Sequence, residues 1–452
     1  MKTWLKTTLA SVGILGSAMF ALTGCGVKTD IKNNSSDILF NGGIVSVVGD
    51  HLVFSNGYKS DDISTIDNYN DFAKTTYLAA VNSSNIAEGK FKSPEGVKNL
   101  KSEVLGFKNG YTFVYGNSIY YAAPNKHKTD ENKHVFNLVS YFKCNFDGSG
   151  EKELFTTKSY DSAKAVVRAL KFDGKGYLFV YDGTELNVVN LENSKTSLVS
   201  SKATSVAIPK EGEEWNGKVF YTEGKDNTAG QAGNEVFSYS VKDGKSTALK
   251  NSINNTVTFT GRIENKVFYS LKNESISVTK TMTANSNDYD SLTFASAARE
   301  YYSSEISNII SVTGNGSTGY DTILFTSSLS GSSQVLADNG NGDVSVVLAN
   351  SEYSNVWFAH NGNVYYSTSN GISSKNIATN EVTTYVEGMK FVEDKFGYAF
   401  SESGNLSHIY FYAQIVYPED DKTKDEDRDT NYYLFQVEVT GNHTISLVGQ
   451  KK

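Results

Sequence analysis

The sequence predicts an all-β chain, a β-propeller of four-stranded antiparallel units. Three observations predict it. An aromatic strand recurs along the whole chain, a strand–turn–strand signal follows most copies, and 28 Tyr and 25 Phe stand against only 4 Pro in 452 residues. Aromatic and β-branched residues favour strands, and scarce proline suits a backbone committed to sheet ladders.

The recurring strand is a polar or Gly turn followed by two to four apolar or aromatic residues. It appears as Asp50-His51-Leu52-Val53-Phe54, Asn117-Ser118-Ile119-Tyr120-Tyr121 and Lys175-Gly176-Tyr177-Leu178-Phe179. It returns as Asn216-Gly217-Lys218-Val219-Phe220-Tyr221, Glu264-Asn265-Lys266-Val267-Phe268-Tyr269 and Asp321-Thr322-Ile323-Leu324-Phe325. The last copies are Asn361-Gly362-Asn363-Val364-Tyr365-Tyr366 and Ser407-His408-Ile409-Tyr410-Phe411. The copies number eight, at irregular intervals of about 51 residues, near the period expected of repeat architectures. Some 430 residues exceed one ordinary core, a limit that repeats escape because each unit packs only on its neighbours.

After most copies comes a hairpin: Val139 to Phe146 turning at Asp147-Gly148 into Glu151 to Phe155, or Val236 to Val241 turning at Asp243-Gly244. Leu186 to Leu191 and Tyr432 to Val439 end in similar turns, and Asp-Gly between strands is a strong hairpin signal. Before each leading strand lies another strand-like run, such as Ala165–Phe172, Thr256–Arg262 or Tyr353–Ala359. Each unit therefore reads as strands A to D, outward from an axis, and such units in a ring make a propeller. Eight units are expected, with seven the alternative. Residues Leu292 to Ser304, rich in Ala, read as a short helix inserted between units five and six.

The run Tyr141-Phe142-Lys143-Cys144-Asn145-Phe146-Asp147-Gly148-Ser149-Gly150-Glu151-Lys152-Glu153-Leu154 resembles the outer hairpin of TolB-like propellers. It also resembles that of the propeller lipoproteins of low-GC Gram-positive bacteria, many known only as domains of unknown function. Other propeller classes fit less well. Trp215 and Trp357 are too few for tryptophan-docked blades, and the pair Gly42-Gly43 does not recur as kelch repeats require.

The first residues carry an address. Lys2 and Lys6 precede a short apolar run broken by Ser11, Gly13, Gly16 and Ser17, which ends in Leu22-Thr23-Gly24-Cys25. These are the parts of a secretory signal, and the run is too short for the about 20 apolar residues of a spanning helix. The ending resembles the lipobox of bacterial lipoproteins. That resemblance implies diacylglycerol on the Cys25 sulfur, further acylation such as palmitate, and a place on the extracytoplasmic face of the cell membrane. The expected organisation is a signal peptide over 1–24, a lipidated N-terminus and polar leash over 25–37, and one propeller domain over 38–450. The leash, Thr29 to Asp37, would reach at most ~30 Å.

Composition excludes some functions. Without residues 1–24 the chain has 40 basic and 50 acidic groups, a balance of −10. Nucleic-acid binders carry the opposite footprint. With Cys25 lipidated, Cys144 stands alone and no intramolecular disulfide can form. Flanked by Phe142 and Phe146 on one strand face, Cys144 reads as a buried core thiol.

Long B–C connections are expected in units one (Ser55 to about Lys74), two (Pro124 to His134), four (Glu223 to Gly233) and eight (Pro418 to Thr430). B–C and D–A connections share a face, so units eight, one and two would form one elaborated patch. Loops on a rigid scaffold concentrate binding residues. Tyr58, Tyr69 and Tyr417 are the contact residues this predicts, since aromatics dominate hot spots. Asp425, Asp427 and Asp429 have the alternate spacing of a calcium loop. However, Thr430 and Gln436 stand where an EF-hand needs Gly and Glu, and Lys422, Lys424 and Arg428 intervene, so a solvated hairpin loop is the favoured reading. No other cofactor is indicated.

No nucleophile elbow or zinc spacing is present. The expected function is a lipid-anchored binding or scaffold module acting on an envelope protein or glycan. A carbohydrate-active propeller enzyme and a sensor or assembly partner of a membrane protein are the alternatives.

Overall fold

The computed structural model describes residues 28–57, 76–106, 110–125, 138–161, 163–224, 234–249, 256–263, 266–272, 277–283, 300–301, 305–312, 322–329, 332–338, 344–416 and 430–450. They form eight four-stranded antiparallel sheets, each of four consecutive strands in simple order. Sheet one holds β1 (Val45–Val48), β2 (His51–Gly57), β3 (Thr76–Asn82) and β4 (Lys98–Ser102). Sheet two holds β5 (Thr112–Tyr115), β6 (Ser118–Pro124), β7 (Val139–Cys144) and β8 (Lys152–Thr156). Sheet three holds β9 (Val166–Phe172), β10 (Lys175–Tyr181), β11 (Leu186–Asn190) and β12 (Lys195–Ser200). Sheet four holds β13 (Ala203–Ala207), β14 (Lys218–Gly224), β15 (Asn234–Ser240) and β16 (Lys245–Ala248). Sheet five holds β17 (Thr256–Ile263), β18 (Lys266–Lys272), β19 (Ser277–Thr283) and β20 (Glu300–Tyr301). Sheet six holds β21 (Glu305–Val312), β22 (Thr322–Leu329), β23 (Ser332–Asp338) and β24 (Val344–Leu348). Sheet seven holds β25 (Asn355–His360), β26 (Asn363–Ser367), β27 (Gly371–Asn376) and β28 (Val382–Glu387). Sheet eight holds β29 (Phe391–Phe400), β30 (Leu406–Gln414), β31 (Tyr432–Glu438) and β32 (Ile445–Leu447).

The eight aromatic repeats of the sequence are the second strands of these eight sheets. Successive side chains on a strand face opposite ways, and here both faces are buried. On β6, Ile119, Tyr121 and Ala123 pack toward sheet one, while Tyr120 and Ala122 pack toward sheet three. On β10, Leu178 and Val180 meet sheet two, and Tyr177, Phe179 and Tyr181 meet sheet four. A strand covered on both sides reads as a continuous apolar run rather than an alternation, which is why these segments stand out.

Shared cores join sheets four and five, six and seven, and seven and eight in the same way. β17 lies against β21 between sheets five and six. Val45, Leu52 and Phe54 of the first sheet, with Ile44 just before it, pack with Ala399, Tyr410, Tyr412 and Leu434 of the last. Four-stranded sheets, each packed face to face on the next, are the layout of a β-propeller. Among the described residues no strand is shared between the first and last sheets, so side chains make that joint. Tyr412 Oη also donates to the Ser55 carbonyl at 2.5 Å.

In an antiparallel meander the A–B and C–D turns share one end of the sheet, and the B–C and D–A connections share the other. At the A–B end, Asp173-Gly174 and Asn361-Gly362 have both φ values positive, the requirement of a two-residue type I′ turn.

The structure changes three expectations. Glu300 and Tyr301, within the span expected to be helical, pair with Lys280 and Thr279 as edge strand β20; pairing to the free edge of β19 outweighs a weak helical propensity. The rest of that span to 299, and 302–304, lies outside the described residues. Ladder pairing also extends several strands into the connections, so that Ser55–Gly57, Pro124 and Glu223–Gly224 are strand.

Third, the stretch expected as a free leash is fastened to the domain. Thr29 Oγ1 donates to the Phe146 carbonyl at 3.3 Å, and Asn33 Nδ2 to that of Gly116 at 2.7 Å. Lys98 Nζ reaches the Lys28 carbonyl at 2.6 Å, Asp30 meets His51 at 3.2 Å, and Asp37 meets Lys171 at 2.6 Å. Ile31 is buried. Phe146, Gly116, His51 and Lys171 all lie at the A–B and C–D end, so the chain crosses that face.

The chain then turns along the inner ring. Leu39 pairs antiparallel with Val114 on the free edge of β5, with N···O distances of 2.8 and 3.2 Å. Asn41 bonds both backbone groups of Tyr398 on β29, and the Thr112 N–H donates to the Gly43 carbonyl at 2.9 Å. The segment runs from the A–B end to the D–A end, reverses at Gly42-Gly43, and returns as β1. Both glycines have left-handed φ, +92° and +82°, and a Cβ on Gly42 would stand 2.4 Å from the Phe396 carbonyl oxygen. The reversal therefore needs glycine, which gives the unrepeated Gly-Gly pair its role.

Among the described residues no helix is long and apolar enough to cross a membrane.

Candidate functional site

The residues that reach the inner ring at its D–A end enclose a cavity of about 370 Å³. Phe40, Gly42, Gly43 and Ile44 come from the N-terminal reversal, and Gly110 and Tyr111 from the approach to β5. Tyr160, Ala165, Val167 and Arg168 come from the entry to β9, and Tyr141 from β7. Asp394 and Lys395 complete the wall. They stand on a bulge of β29, whose register slips between Phe391 and Phe396. Bulges of this kind re-aim side chains out of a ladder. The bulge is held by Glu393, whose carbonyl accepts from Trp357 Nε1 at 2.6 Å and Ser367 Oγ at 3.0 Å.

A polar cluster adjoins the cavity. Tyr111 Oη donates to Glu211 Oε1 at 2.6 Å and accepts from the Ala169 N–H at 2.9 Å; the same N–H reaches Glu211 Oε1 at 3.2 Å. Together they satisfy an inward N–H of the free edge of β9, a group that would otherwise be costly to bury. Glu211 comes from the A–B connection of sheet four, which spans 208–217 where sheets one, two, three and seven use two residues. Trp215 pins that connection by donating from Nε1 to the Lys171 carbonyl at 2.8 Å.

Burial, reinforced by the Glu211 charge, pushes the Tyr111 phenol well above its ordinary value, so it stays a donor. Burial likewise raises Tyr160 to about 12, and burial with the Glu211 charge raises Tyr398 to about 12. Lys210 retains some exposed surface but its charge is set in dense protein. Burial, then the nearby Arg168 charge, lowers it to about 8 against the pull of Glu213 and Glu211. Arg168 Nη1 donates to the Val167 carbonyl at 2.8 Å, while its Nε has no hydrogen-bond partner and stands 3.9 Å from Glu211 Oε2. That separation is too long for a hydrogen bond.

No protein-family model matches the sequence, and no curated protein matches it. Similar solved structures include a prolyl endopeptidase, with 11% identity, a TM-score of 0.43, and coverage of 86% of this chain and 56% of that one. The chain thus spans little more than half the length of that enzyme. An oligogalacturonate lyase in complex with manganese is similar at 10% identity and a TM-score of 0.41, over 74% of this chain and 86% of that one. The β-propeller domain of the Trilobed protease from Pyrococcus furiosus is similar at 10% identity and a TM-score of 0.40, over 76% of this chain and 99% of that one.

Of the residues expected to act, Cys25, Tyr58, Tyr69, Tyr417, Asp425, Asp427 and Asp429 lie outside the described residues. Among the described residues no group of three His, Cys, Asp or Glu could hold a metal ion. Cys144 is a core thiol, 1% exposed, with Phe142 and Phe146 in its cluster, and burial pushes it up to about 12. Sequence reasoning missed Tyr111, Arg168, Glu211 and the β29 bulge. The one available signal was the run Lys210-Glu211-Gly212-Glu213-Glu214-Trp215, whose length marks an unusual A–B connection.

Proposed function

We propose that this chain is an eight-bladed β-propeller, tethered through lipidated Cys25 outside a membrane, that binds a small ligand in the cavity at its D–A end. One observation supports it most: the N-terminal segment lies across the A–B face while the cavity is lined by residues of the opposite end. A tether leaving from residue 28 would therefore hold the cavity end of the sheets away from the bilayer. The strands that flank the long B–C connections of units one, two, four and eight end at that same face. The eight sheets, each packed on its chain neighbour and the last on the first, support the blade number.

The test has two arms. Metabolic labelling with an alkyne analogue of palmitate is expected to mark the wild-type chain and not Cys25→Ala; equal labelling removes the anchor. The full chain, purified in detergent, is expected to capture a component of its own cell envelope, and deletion of 419–429 to weaken capture without lowering the melting temperature. Unchanged capture removes the loops from the function. Turnover of a captured glycan would replace the binding reading with the enzymatic one.

A further inference from the structure

The cavity walls are unequal in a way that selects a ligand. Four aromatic side chains, Phe40, Tyr111, Tyr141 and Tyr160, line it and supply apolar surface for a ring. At about 370 Å³ the space is near the lower end of small-molecule pockets, which suits a monosaccharide- or amino-acid-sized occupant.

The charges decide the rest. Arg168 and Lys395 line the cavity against Asp394, with Glu211, Glu213 and Lys210 close by. These balance in number but not in engagement. Glu211 is 10% exposed and its Oε1 is taken by the Tyr111 hydroxyl and the Ala169 N–H, while a Glu213 oxygen accepts the Lys210 backbone N–H at 3.1 Å. Asp394 is 60% exposed and leans to solvent, 3.9 Å from a Lys395 that is only 30% exposed. Arg168, also 30% exposed, makes one hydrogen bond, to its neighbour's carbonyl, and a long 3.9 Å ion pair to Glu211 Oε2. Asp394 thus faces solvent and Glu211 spends one oxygen on Tyr111 and Ala169, while Arg168 and Lys395 are enclosed and make few hydrogen bonds. A guanidinium presents a planar fork that matches a carboxylate in two parallel bonds.

We propose that the cavity binds a small ring-bearing carboxylate: Arg168 takes the carboxylate, Lys395 adds attraction, and the aromatic walls hold the ring. This rests on the binding reading above and names its ligand class. The shared chemistry has two sources, a uronic acid sugar and an aromatic acid.

The experiment is isothermal titration of the full chain in detergent with glucuronate and benzoate, beside glucose and benzyl alcohol as their neutral counterparts. At least one acid is expected to bind and its counterpart not. Glucuronate alone identifies the sugar source, benzoate alone the aromatic one. Arg168→Ala is expected to weaken acid binding roughly tenfold or more. Arg168→Lys restores part of it, because a point charge lacks the fork. Lys395→Ala should cost only a few-fold, and added salt should erode that part first. Unshifted melting temperatures keep these losses separate from misfolding. Neutral compounds binding as tightly as the acids, acid affinity unchanged in Arg168→Ala, or no acid binding at all would each overturn the ligand class. Envelope capture, measured independently, would still stand or fall as the test of the binding module.

Discussion

The two ends of the sheets are built from the same strands and do opposite things. At the A–B end the A–B turns of sheets one, two, three and seven are two residues long, and the N-terminal segment is laid across this end through contacts such as Asn33 to Gly116 and Asp37 to Lys171. At the D–A end the strands begin irregularly: a reversal at Gly42-Gly43, a bulge in β29, and aromatic approaches to β5 and β9. Regular hydrogen-bonded turns leave little room between strands, whereas irregular entries splay side chains into the axis. The cavity sits where backbone regularity is given up, and the segment from 38 to 44 connects the two ends.

That connection is the place to break the contrast. Gly42→Ala is expected to cost on the order of 2–4 kcal/mol, from a left-handed φ plus a backbone clash, and to abolish ligand binding. Gly174→Ala at the A–B end has a similar φ of +73° but nothing within 4 Å, so its cost should be only about 1–2 kcal/mol. Urea unfolding midpoints compare the two; equal losses would mean that the reversal is not held against β29.

Lys210 tests the crowded interior next to the cavity. Its depressed folded value means that the unfolded chain binds more protons between about 8 and the ordinary 10.5, so stability should rise as pH climbs through that window. Lys210→Met should stabilise the protein by about 1–3 kcal/mol at neutral pH and flatten that slope. A wild-type stability curve level across the window would show that Lys210 is well hydrated.

Lys171→Ala probes the strap on the A–B face. Its partner Asp37 is 70% exposed, so the loss should be no more than about 1 kcal/mol and vanish at high salt. The smallest expected effect is none. Iodoacetamide at mildly alkaline pH should leave Cys144 unmodified in the native chain and alkylate it promptly in urea. Native alkylation at the rate of a free thiol would mean that the core between sheets one and two opens.

The repeats were legible because the second strand of each sheet is covered on both faces. Phe179, Phe220, Tyr221 and Tyr410 are all nearly inaccessible, and such burial demands an uninterrupted apolar word in the sequence. The hairpin turns were legible because Asp-Gly pairs encode their own backbone geometry. The candidate site was not. Glu211 meets Tyr111 across 100 residues and Ala169 across 42, and no local pattern encodes a meeting made by packing. Nor was the strap readable, since the polar run from Thr29 to Asp37 looks like solvent-exposed chain until its partners on sheets one to three are in place.

The sequence by itself determined the strands, their grouping in fours and the burial of Cys144. These follow from side-chain alternation and turn chemistry, which act over a few residues. Only the tertiary structure decided that the N-terminal segment threads the inner ring, and that a cavity with an under-engaged arginine lies opposite the end it enters. Those depend on which free edges and faces meet when sheet closes on sheet, a matter of long-range packing that local preference does not record.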